Sequence, residues 1–307
     1  MQTVGVLCGG SGSSKFVSAI SNYSGDDVEP RFIGNVGDNF WYHGILVCPD
    51  IDIITYSLAG LLDTAKGWGI QNDSFVGKEM LSRLSGTQEW FSLGDRDLAV
   101  CLKRTEYYQK GWTLSSITKE ICTRLGARRS LTPATDDPVQ TFVRTVLGNL
   151  HLQEFWVKNG GKLDAFGVQY VGIKKATPTQ EFLDVCKNPV IICPANPVSS
   201  ILPSIRLKGI ISRLKKSRVV AISPFVGGRP FSGPAANLMR ALNIETSSRG
   251  VAKLYSDFLK VIFLDKEEEP GIVSSIRDMG VECVLTNTRI ESVDDKKKIT
   301  AELLAAL

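Results

Sequence analysis

A glycine- and serine-rich segment near the start of the chain has the composition of a phosphate-binding turn. Residues 9–15 read Gly-Gly-Ser-Gly-Ser-Ser-Lys and follow the apolar run 4–7. Glycines between a strand and a helix let backbone N–H groups close around an anion at the helix N-terminus. The hydroxyls of Ser11 and Ser13 and the ammonium of Lys15 favour the same kind of ligand. The alternative is a purely structural strand-to-helix turn.

The spacing of this turn differs from two common nucleotide-binding signatures. It lacks the Gly-Lys-Ser/Thr order of G-x-x-x-x-G-K-[ST] and the last glycine of G-x-G-x-x-G. No acidic residue closes a second strand as a ribose-binding carboxylate does, and this disfavours NAD. An ordinary dinucleotide oxidoreductase is therefore a disfavoured alternative.

Three aspartates follow predicted strands after the turn. Asp38 ends the segment Asn-Val-Gly-Asp, and Asp50 and Asp52 lie in Cys-Pro-Asp-Ile-Asp. Open α/β sheets hold their ligands on such loops. Mg2+ takes one or two carboxylates plus phosphate oxygens, and a carboxylate beside a hydroxyl accepts its proton, so Asp38 and Asp50 are candidates for metal or base. Asp52 can equally cap the helix predicted to start near Ile53.

Two further loops of small residues follow apolar strands directly. The loop 194–200 follows the predicted strand 189–193, and the loop 223–228 follows 217–222. Together with the glycine turn, they would share one rim of an open sheet. For any one loop, the alternative is that small residues merely make a tight turn.

Mixed charge follows aromatic side chains at 90–97. Trp90 comes before Asp95, Arg96 and Asp97 in this segment. The ordinary interpretation is a solvated helix start with Asp95 as the N-cap. The functional interpretation is a platform on which a planar ligand stacks between hydrogen-bonding groups.

Composition and charge narrow the class of protein. The 307 residues are 43% hydrophobic and 22% charged, which is typical of a soluble globular protein. The net charge of +4 is too small to indicate a nucleic-acid surface. Seven cysteines without a C-x-x-C pair and two histidines disfavour a zinc site. No run is long enough to span a bilayer and none resembles a secretory leader, so we expect a cytoplasmic protein with no membrane or nucleic-acid partner.

Short β-branched runs alternate with helical patterns and predict an α/β fold, a mostly parallel sheet flanked by helices. The segment 52–128 predicts a mostly helical insertion packed over the sheet's edge or its ligand crevice. Residues 139–147 alternate with period two and predict a strand of a small separate sheet. No linker or repeat interrupts the chain, so 1–307 is predicted to be one unit. The predicted core strands are 3–8, 31–35, 166–172, 189–193, 217–222, 260–264 and 282–285.

From residue 4 to about residue 240, the order of these segments resembles the 2-phospho-L-lactate transferase (CofD-like) family. The resemblance implies a Rossmann-like fold, a Mg2+-dependent phosphotransferase and a step in making the deazaflavin coenzyme F-420. In that family a guanosine-diphosphate-linked donor passes a phospholactyl, or related phospho-acid, group to the terminal hydroxyl of 7,8-didemethyl-8-hydroxy-5-deazariboflavin, and GMP leaves. The segments that carry the resemblance are 9–15, 35–38, 48–52, 67–69, 90–99, 153–156, 193–197, 223–228 and 233–236.

The resemblance also implies roles for single residues on the acceptor and metal side. Asp50 would orient or deprotonate the acceptor hydroxyl, and Asp38 and Asp50 would ligate the metal. Trp90, Arg96 and Asp97 would lie near the deazaflavin.

On the donor side, Lys15 would act with Asp50 in catalysis by neutralising charge on the diphosphate. Two departures from the family pattern are visible: Asn39 stands where a second aspartate is frequent, and the turn is richer in serine than is usual. The groups implied to hold the donor and its nucleotide are Gly9, Gly10, Ser11, Gly12, Ser13, Lys15, Asn196, Ser199, Ser223, Gly227 and Gly228.

Two points stay open at this stage. A related group of CofD-like proteins resembles this chain in the glycine turn but binds a nucleotide sugar as a regulator without catalysis; the segment 90–99 argues against it. A homodimer is expected only because the family suggests one.

Overall fold

The structure of the protein is a computed structural model that describes residues 1–227, 229–230 and 233–307. Within them the β-strands are β1 (Gln2–Cys8), β2 (Val28–Gly34), β3 (Phe40–Tyr42), β4 (Ile45–Val47), β5 (Leu131–Pro133), β6 (Gln140–Thr145), β7 (Gly148–His151), β8 (Gly167–Val171), β9 (Val190–Ile192), β10 (Val219–Ile222), β11 (Phe225–Val226), β12 (Arg229–Pro230), β13 (Leu259–Asp265) and β14 (Glu282–Thr286). The α-helices are α1 (Gly10–Tyr23), α2 (Pro49–Ala59), α3 (Val76–Ser85), α4 (Asp95–Gln109), α5 (Leu114–Arg124), α6 (Gln180–Val185), α7 (Leu202–Ile205), α8 (Ile210–Leu214), α9 (Ala235–Ala241), α10 (Ser248–Leu254), α11 (Pro270–Asp278) and α12 (Val293–Ala305). Two short π-helices are π1 (Glu154–Lys158) and π2 (Pro197–Ile201).

Seven of the described strands form the main sheet, in the order β14-β13-β10-β9-β1-β2-β5. Every pairing between neighbours in it is parallel. The N-terminal strand β1 lies inside the sheet, where Val6 pairs with Phe32 of β2 and with Ile191 of β9. All three side chains are buried, because helices cover both faces of the sheet. Burying each of these side chains contributes about 1.5–3 kcal/mol to stability. The parallel sheet flanked by helices confirms the predicted α/β class.

One of the predicted core strands does not belong to the main sheet. The strands predicted at 3–8, 31–35, 189–193, 217–222, 260–264 and 282–285 belong to the main sheet. The strand predicted at 166–172 does not: β8 pairs antiparallel with β6, and only Tyr170 of its five residues is buried. A mostly exposed strand such as β8 suits a small sheet with one face in solvent. The edge strand β5 was not predicted, since three residues ending in proline give little strand signal.

The strand predicted at 139–147 is confirmed as β6. It is the middle strand of a three-stranded antiparallel sheet, β7-β6-β8. Its buried residues Thr141, Val143 and Thr145 alternate with more exposed ones, as the period of two requires. The N–H of Thr141 donates to the carbonyl of Gly37 at 2.6 Å, which ties this small sheet to the loop after β2.

Between α2 and β5 the described chain is mainly helical. It contains α3, α4 and α5, and an antiparallel bridge between Leu62 and Ile70. On α5 the spaced residues Leu114, Ile117 and Ile121 are all buried, as expected for one face of an amphipathic helix. None of the described helices combines the length and the apolar character that crossing a membrane requires.

Candidate functional site

A cavity of about 500 Å³ lies at the carboxyl end of β1. This is the usual ligand position in an open α/β sheet. The cavity is lined by the β1–α1 turn, the first turns of α2 and parts of both π-helices. Its polar and aromatic lining residues are Ser11, Asp38, Asp50, Asp52, Tyr56, Trp68, Phe91, Ser92, Asp97, Gln153, Trp156, Asn196, Ser199 and Ser200.

Asp50 lies in the first turn of α2 and is buried against the cavity. Proline at the helix start and acidic residues in the first turn both favour a helix beginning here. The Oδ2 atom of Asp50 accepts a hydrogen bond from Nδ2 of Asn35 at 2.9 Å. The backbone N–H of Gly10 and the side chain of Ser200 also donate to this carboxylate. Asp50 is therefore held from three directions.

The first two glycines of the turn make room for this carboxylate. A Cβ atom on Gly9 would lie 2.5 Å from Oδ2 of Asp50, and one on Gly10 would lie 3.1 Å from Oδ1. Gly10 also has a φ angle of +64°, which favours glycine. The sequence alone attributes these glycines to a phosphate, whereas the structure adds a contact with Asp50.

Asp38 forms a carboxylate pair with Asp50. Its Oδ2 atom accepts a hydrogen bond from Nε2 of Gln153 at 3.2 Å, whereas its Oδ1 atom is buried with no hydrogen-bond partner in the described chain. Burial and the charge of Asp50 raise the pKa of Asp38 well above its ordinary value, and burial raises the pKa of Asp50. Buried carboxylates this close need a shared proton or a cation to be stable. An oxygen donor set with an unpartnered oxygen suits Mg2+.

Asp52 has a cationic partner of its own. The guanidinium of Arg104 donates to both carboxylate oxygens, with Nη1 at 3.1 Å from Oδ2 and Nη2 bonded to Oδ1. Nη1 also lies 3.3 Å from the carbonyl oxygen of Leu46. The N-cap of α2 is Cys48, so Asp52 does not cap a helix starting near Ile53. It stabilises the first turn and neutralises Arg104.

Asp52, Asp97 and Cys101 bring their ligand atoms within 4.8 Å of one another. The Arg104 guanidinium already supplies the positive charge at this cluster. We therefore do not assign a metal to it.

Asp97 accepts a hydrogen bond from the hydroxyl of Tyr56 at 2.6 Å. Burial, with the nearby charge of Asp52, raises the pKa of Asp97 from 3.8 to about 7. The folded protein therefore holds this proton more tightly than the unfolded chain does, and the contribution of Asp97 to stability falls as the pH rises from about 4 to 7.

We accordingly expect Asp97→Asn to be more stable than the wild type at pH 8, by roughly 2–4 kcal/mol. The amide oxygen can still accept from Tyr56, but no charge is buried. At pH 5 the gain should be much smaller. Urea unfolding at both pH values measures this, and a gain that does not change with pH would contradict it.

Helix capping fixes the position of Asp97. The carboxylate of Asp73 accepts from the N–H of Arg96 at 2.9 Å and from the N–H of Asp97 at 3.1 Å. Asp95 is the first residue of α4 rather than its N-cap. Its carboxylate instead accepts from the N–H groups that begin α3. The two helix starts thus stabilise each other.

The glycine turn lines the cavity only in part. Gly9, Gly10, Ser11 and Gly12 line it, whereas Ser13 and Lys15 do not. The Ser13 hydroxyl is buried and bonds to the backbone N–H and carbonyl of Gly9.

The side chain of Lys15 bonds elsewhere in the structure. Its ammonium donates to the carbonyl of Ile290 at 2.9 Å, in the segment before α12. Lys15 thus lies outside the cavity lining, and its roles in catalysis and diphosphate binding stay predictions.

One of the two later loops reaches the cavity. Asn196 and Ser199 line it. The Oδ1 atom of Asn196 accepts from the N–H groups of Val198 and Ser199 at the start of π2, and its Nδ2 atom is buried with no partner in the described residues. Asn196 therefore has an amide available for a ligand.

The other loop does not line the cavity with its described residues. Ser223 is buried, with its hydroxyl 2.7 Å from that of Ser248. Gly227 is exposed. Gly228 lies outside the described residues. Ser223 and Gly227 therefore do not line the cavity, and their nucleotide contacts stay a prediction.

The predicted aromatic platform lines the cavity only in part. Trp90 packs against Phe40, Tyr42 and Phe91, where it is half-buried, and it does not line the cavity. The side chain of Arg96 is exposed and outside the lining. Of the segment 90–97, the cavity is lined by Phe91 to Leu93 and by Asp97.

Two other tryptophans line the cavity. Trp68 and Trp156 are each 38% exposed. Trp156 lies against Gly161, where an added Cβ would approach its ring to 2.7 Å. Trp156 and Gln153 were missed as site residues, although the segment 153–156 carries part of the resemblance. Their only signal was membership of that segment.

Comparison with known proteins agrees with the resemblance. The family model described as 2-phospho-L-lactate transferase CofD matches residues 4–301. The 2-phospho-L-lactate transferase of Methanospirillum hungatei JF-1 is 37% identical over 273 residues, covering 88% of this chain and 91% of that protein. That of Methanopyrus kandleri is 36% identical over 305 residues, covering 97% and 96%. A phosphoenolpyruvate transferase of Nocardia farcinica is 34% identical over 286 residues, covering 87% and 86%.

A solved structure supports the fold. A member of the UPF0052 family from Bacillus halodurans superposes with a TM-score of 0.63 at 16% identity, covering 99% of this chain and all of that one. At this identity the likeness concerns the fold alone. The family match over nearly the whole chain and the curated relatives go further: this chain belongs to the 2-phospho-L-lactate transferase (CofD) family.

Proposed function

We propose that the protein transfers a phospholactyl, or related phospho-acid, group from a guanosine-diphosphate-linked donor to the terminal hydroxyl of 7,8-didemethyl-8-hydroxy-5-deazariboflavin. GMP would be the second product, and the step would belong to coenzyme F-420 biosynthesis. Family membership supports transferase chemistry. The observation that carries the proposal is the buried Asp38–Asp50 pair beside the N-terminus of α1. A group that can accept a proton and a helix end that favours an anion are adjacent there.

The proposed reaction needs positioning more than covalent catalysis. The acceptor hydroxyl oxygen attacks the phosphorus that bears the phospho-acid. A new P–O bond forms while the bond from that phosphorus to the oxygen shared with GMP breaks, and GMP leaves with that oxygen. The hydroxyl proton passes to the Asp50 carboxylate. Backbone N–H groups at the start of α1 stabilise the developing negative charge.

Asp38 and Asp50 are the residues that would hold Mg2+. When bound, the metal supplies charge neutralisation at the diphosphate. The unpartnered Oδ1 of Asp38 supports this assignment. Among the described lining residues there is no lysine or arginine, and the nearby Arg104 is paired with Asp52. An anionic donor would therefore depend on the metal for its countercharge.

The two sides of the cavity suit different parts of the substrates. The free amide of Asn196 and the hydroxyl group of Ser199 can hydrogen-bond the donor. Trp68, Phe91 and Trp156 offer aromatic surface for a planar ring. We propose that the donor lies on the π2 side and the deazaflavin on the aromatic side, with Asp97 as a polar contact.

Incubation of the protein with deazaflavin, Mg2+ and each of three donors tests the proposal. The donors carry lactate, enolpyruvate or glycerate, and the product is identified by mass. We expect one phospho-acid adduct of the deazaflavin and stoichiometric GMP. Absence of any adduct with all three donors, together with tight binding of a UDP-sugar, would instead favour the regulatory alternative.

Trp156→Ala should weaken binding of the deazaflavin by about two- to tenfold, because an aromatic contact of this kind contributes about 0.5–1.5 kcal/mol. Fluorescence titration of the deazaflavin measures the dissociation constant. GDP affinity should not change. Trp112→Ala is the matched control, since this exposed ring stacks on Tyr107 at 4.7 Å and is outside the cavity lining. Equal losses in both variants would count against the acceptor assignment.

A further inference from the structure

Each carboxylate of the Asp38–Asp50 pair is held by a side-chain amide. Asn35 donates from Nδ2 to Oδ2 of Asp50 at 2.9 Å, and Gln153 donates from Nε2 to Oδ2 of Asp38 at 3.2 Å. All four side chains are buried. The two holding groups are thus equivalent in chemistry, although Asn35 follows β2 and Gln153 lies between β7 and π1.

An amide and a cation differ in the charge that a carboxylate keeps after it accepts their hydrogen bonds. Arg104 neutralises Asp52 and occupies both of its oxygens. An amide carries no charge, so it orients a carboxylate without removing its attraction for a metal ion. Gln153 also occupies only Oδ2, and Oδ1 of Asp38 stays without a partner among the described residues.

Gln153 is itself fixed in place. Its backbone N–H donates to Nδ1 of His151 at 3.2 Å. The His151 ring stacks on Phe40 at 5.3 Å and meets the edge of Phe142 at 5.6 Å. Burial lowers the pKa of His151 to about 4, so the ring is neutral and its Nδ1 can accept this bond at physiological pH.

We propose that Gln153 is a positioning residue for the divalent cation: by holding Oδ2 of Asp38, it leaves Oδ1 available to a cation that Asp38 and Asp50 would hold. The inference rests on the proposed metal role of that pair. It adds a residue from a distant part of the chain, 115 positions from Asp38. Asn35 does the same for Asp50 from nearby in the sequence.

The test is Mn2+ binding to the free protein, measured by electron paramagnetic resonance without substrates. Gln153→Met removes the amide at similar size and should weaken Mn2+ binding about 10–100-fold, as is typical for partners of metal ligands. Gln140→Met is the matched control. Its Nε2 donates at the same 3.2 Å, but to the carbonyl of Asn39, next to Asp38. Its Mn2+ affinity should stay within about threefold of the wild type.

Turnover supplies a second measurement. In the positioning role, Gln153→Met raises the Mg2+ concentration needed for half-maximal rate more than it lowers the rate at saturating Mg2+. Gln153→Asn should have the same effect as Gln153→Met, because its amide is one methylene too short to reach Asp38. It replaces Gln153→Met in the test if that variant fails to fold. Circular dichroism checks the fold of each.

Several outcomes would overturn the inference. They are unchanged Mn2+ affinity in Gln153→Met, equal losses in Gln153→Met and Gln140→Met, or no Mn2+ binding by the wild type. A different result would count against the proposed function alone. If the wild-type protein binds Mn2+ and Gln153→Met weakens that binding, but no product forms from any of the three donors, the transfer reaction is rejected and the role of Gln153 stands.

Discussion

Asp50→Asn is expected to fold normally and to lose at least about a hundredfold in transfer rate. The amide has the shape of the carboxylate, and its oxygen can still accept from Asn35, so the packing against Gly9 and Gly10 is retained. What disappears is the negative charge that accepts the hydroxyl proton and that, with Asp38, attracts a cation. Product formation followed by mass gives the rate, and thermal unfolding checks the fold.

Asp137→Asn is the control for this variant. Asp137 accepts hydrogen bonds from the N–H and hydroxyl of Thr177 and lies outside the cavity lining. Its rate should match the wild type. Near-normal turnover of Asp50→Asn would exclude both the proton-accepting and the metal-binding role of Asp50.

Arg104→Met should produce the largest loss of stability, about 3–5 kcal/mol. Arg104 is 1% exposed, and removing its guanidinium leaves the buried carboxylate of Asp52 without a countercharge. The carbonyl of Leu46 also loses a donor. Urea unfolding measures the change in the free energy of unfolding.

A double variant separates charge from packing. Asp52→Asn combined with Arg104→Met should recover most of the lost stability, because the uncompensated charge is gone. Arg124→Met, which removes an exposed pair with Glu120 on α5, should change stability little. A double variant no more stable than Arg104→Met alone would show that lost contacts, and not the charge, dominate.

Local patterns in the sequence were enough to predict most of the fold. The apolar strands that become β1, β9 and β10 are buried on both faces, and such runs are easy to recognise. The strand β8 was assigned to the core because it is rich in β-branched and aromatic residues, whereas its partner is the antiparallel β6. Which sheet a strand joins depends on pairing across the chain, and no local pattern contains it.

The sequence predicts which residues lie at the edge of the sheet where the cavity is, because backbone topology determines that. It does not predict which of their side chains line the cavity, because that depends on the direction of each side chain. Asp38 and Asn196 line the cavity because they follow β2 and β9, strands of the main sheet whose carboxyl ends meet at one edge. Asp50 lines it from the first turn of α2, which follows the small β3–β4 sheet. Lys15 follows the same turn, but its helical position directs it to Ile290. Trp90 and Trp156 are both aromatic residues within the segments that carry the resemblance. Only the packing of the folded chain determines that Trp156 lines the cavity and Trp90 does not.

The position of β1 inside the main sheet has a consequence for synthesis. Its partner on one side, β2, follows within the first part of the chain, but its partner on the other side, β9, begins only at Val190. At about 5–20 residues per second, a ribosome makes β9 roughly ten to forty seconds after β1. During that interval one edge of an apolar strand has no native neighbour, a state that is prone to aggregation. We therefore expect the nascent chain to need chaperone protection until its second half emerges, and Asp50 to gain its contact with Ser200 only then.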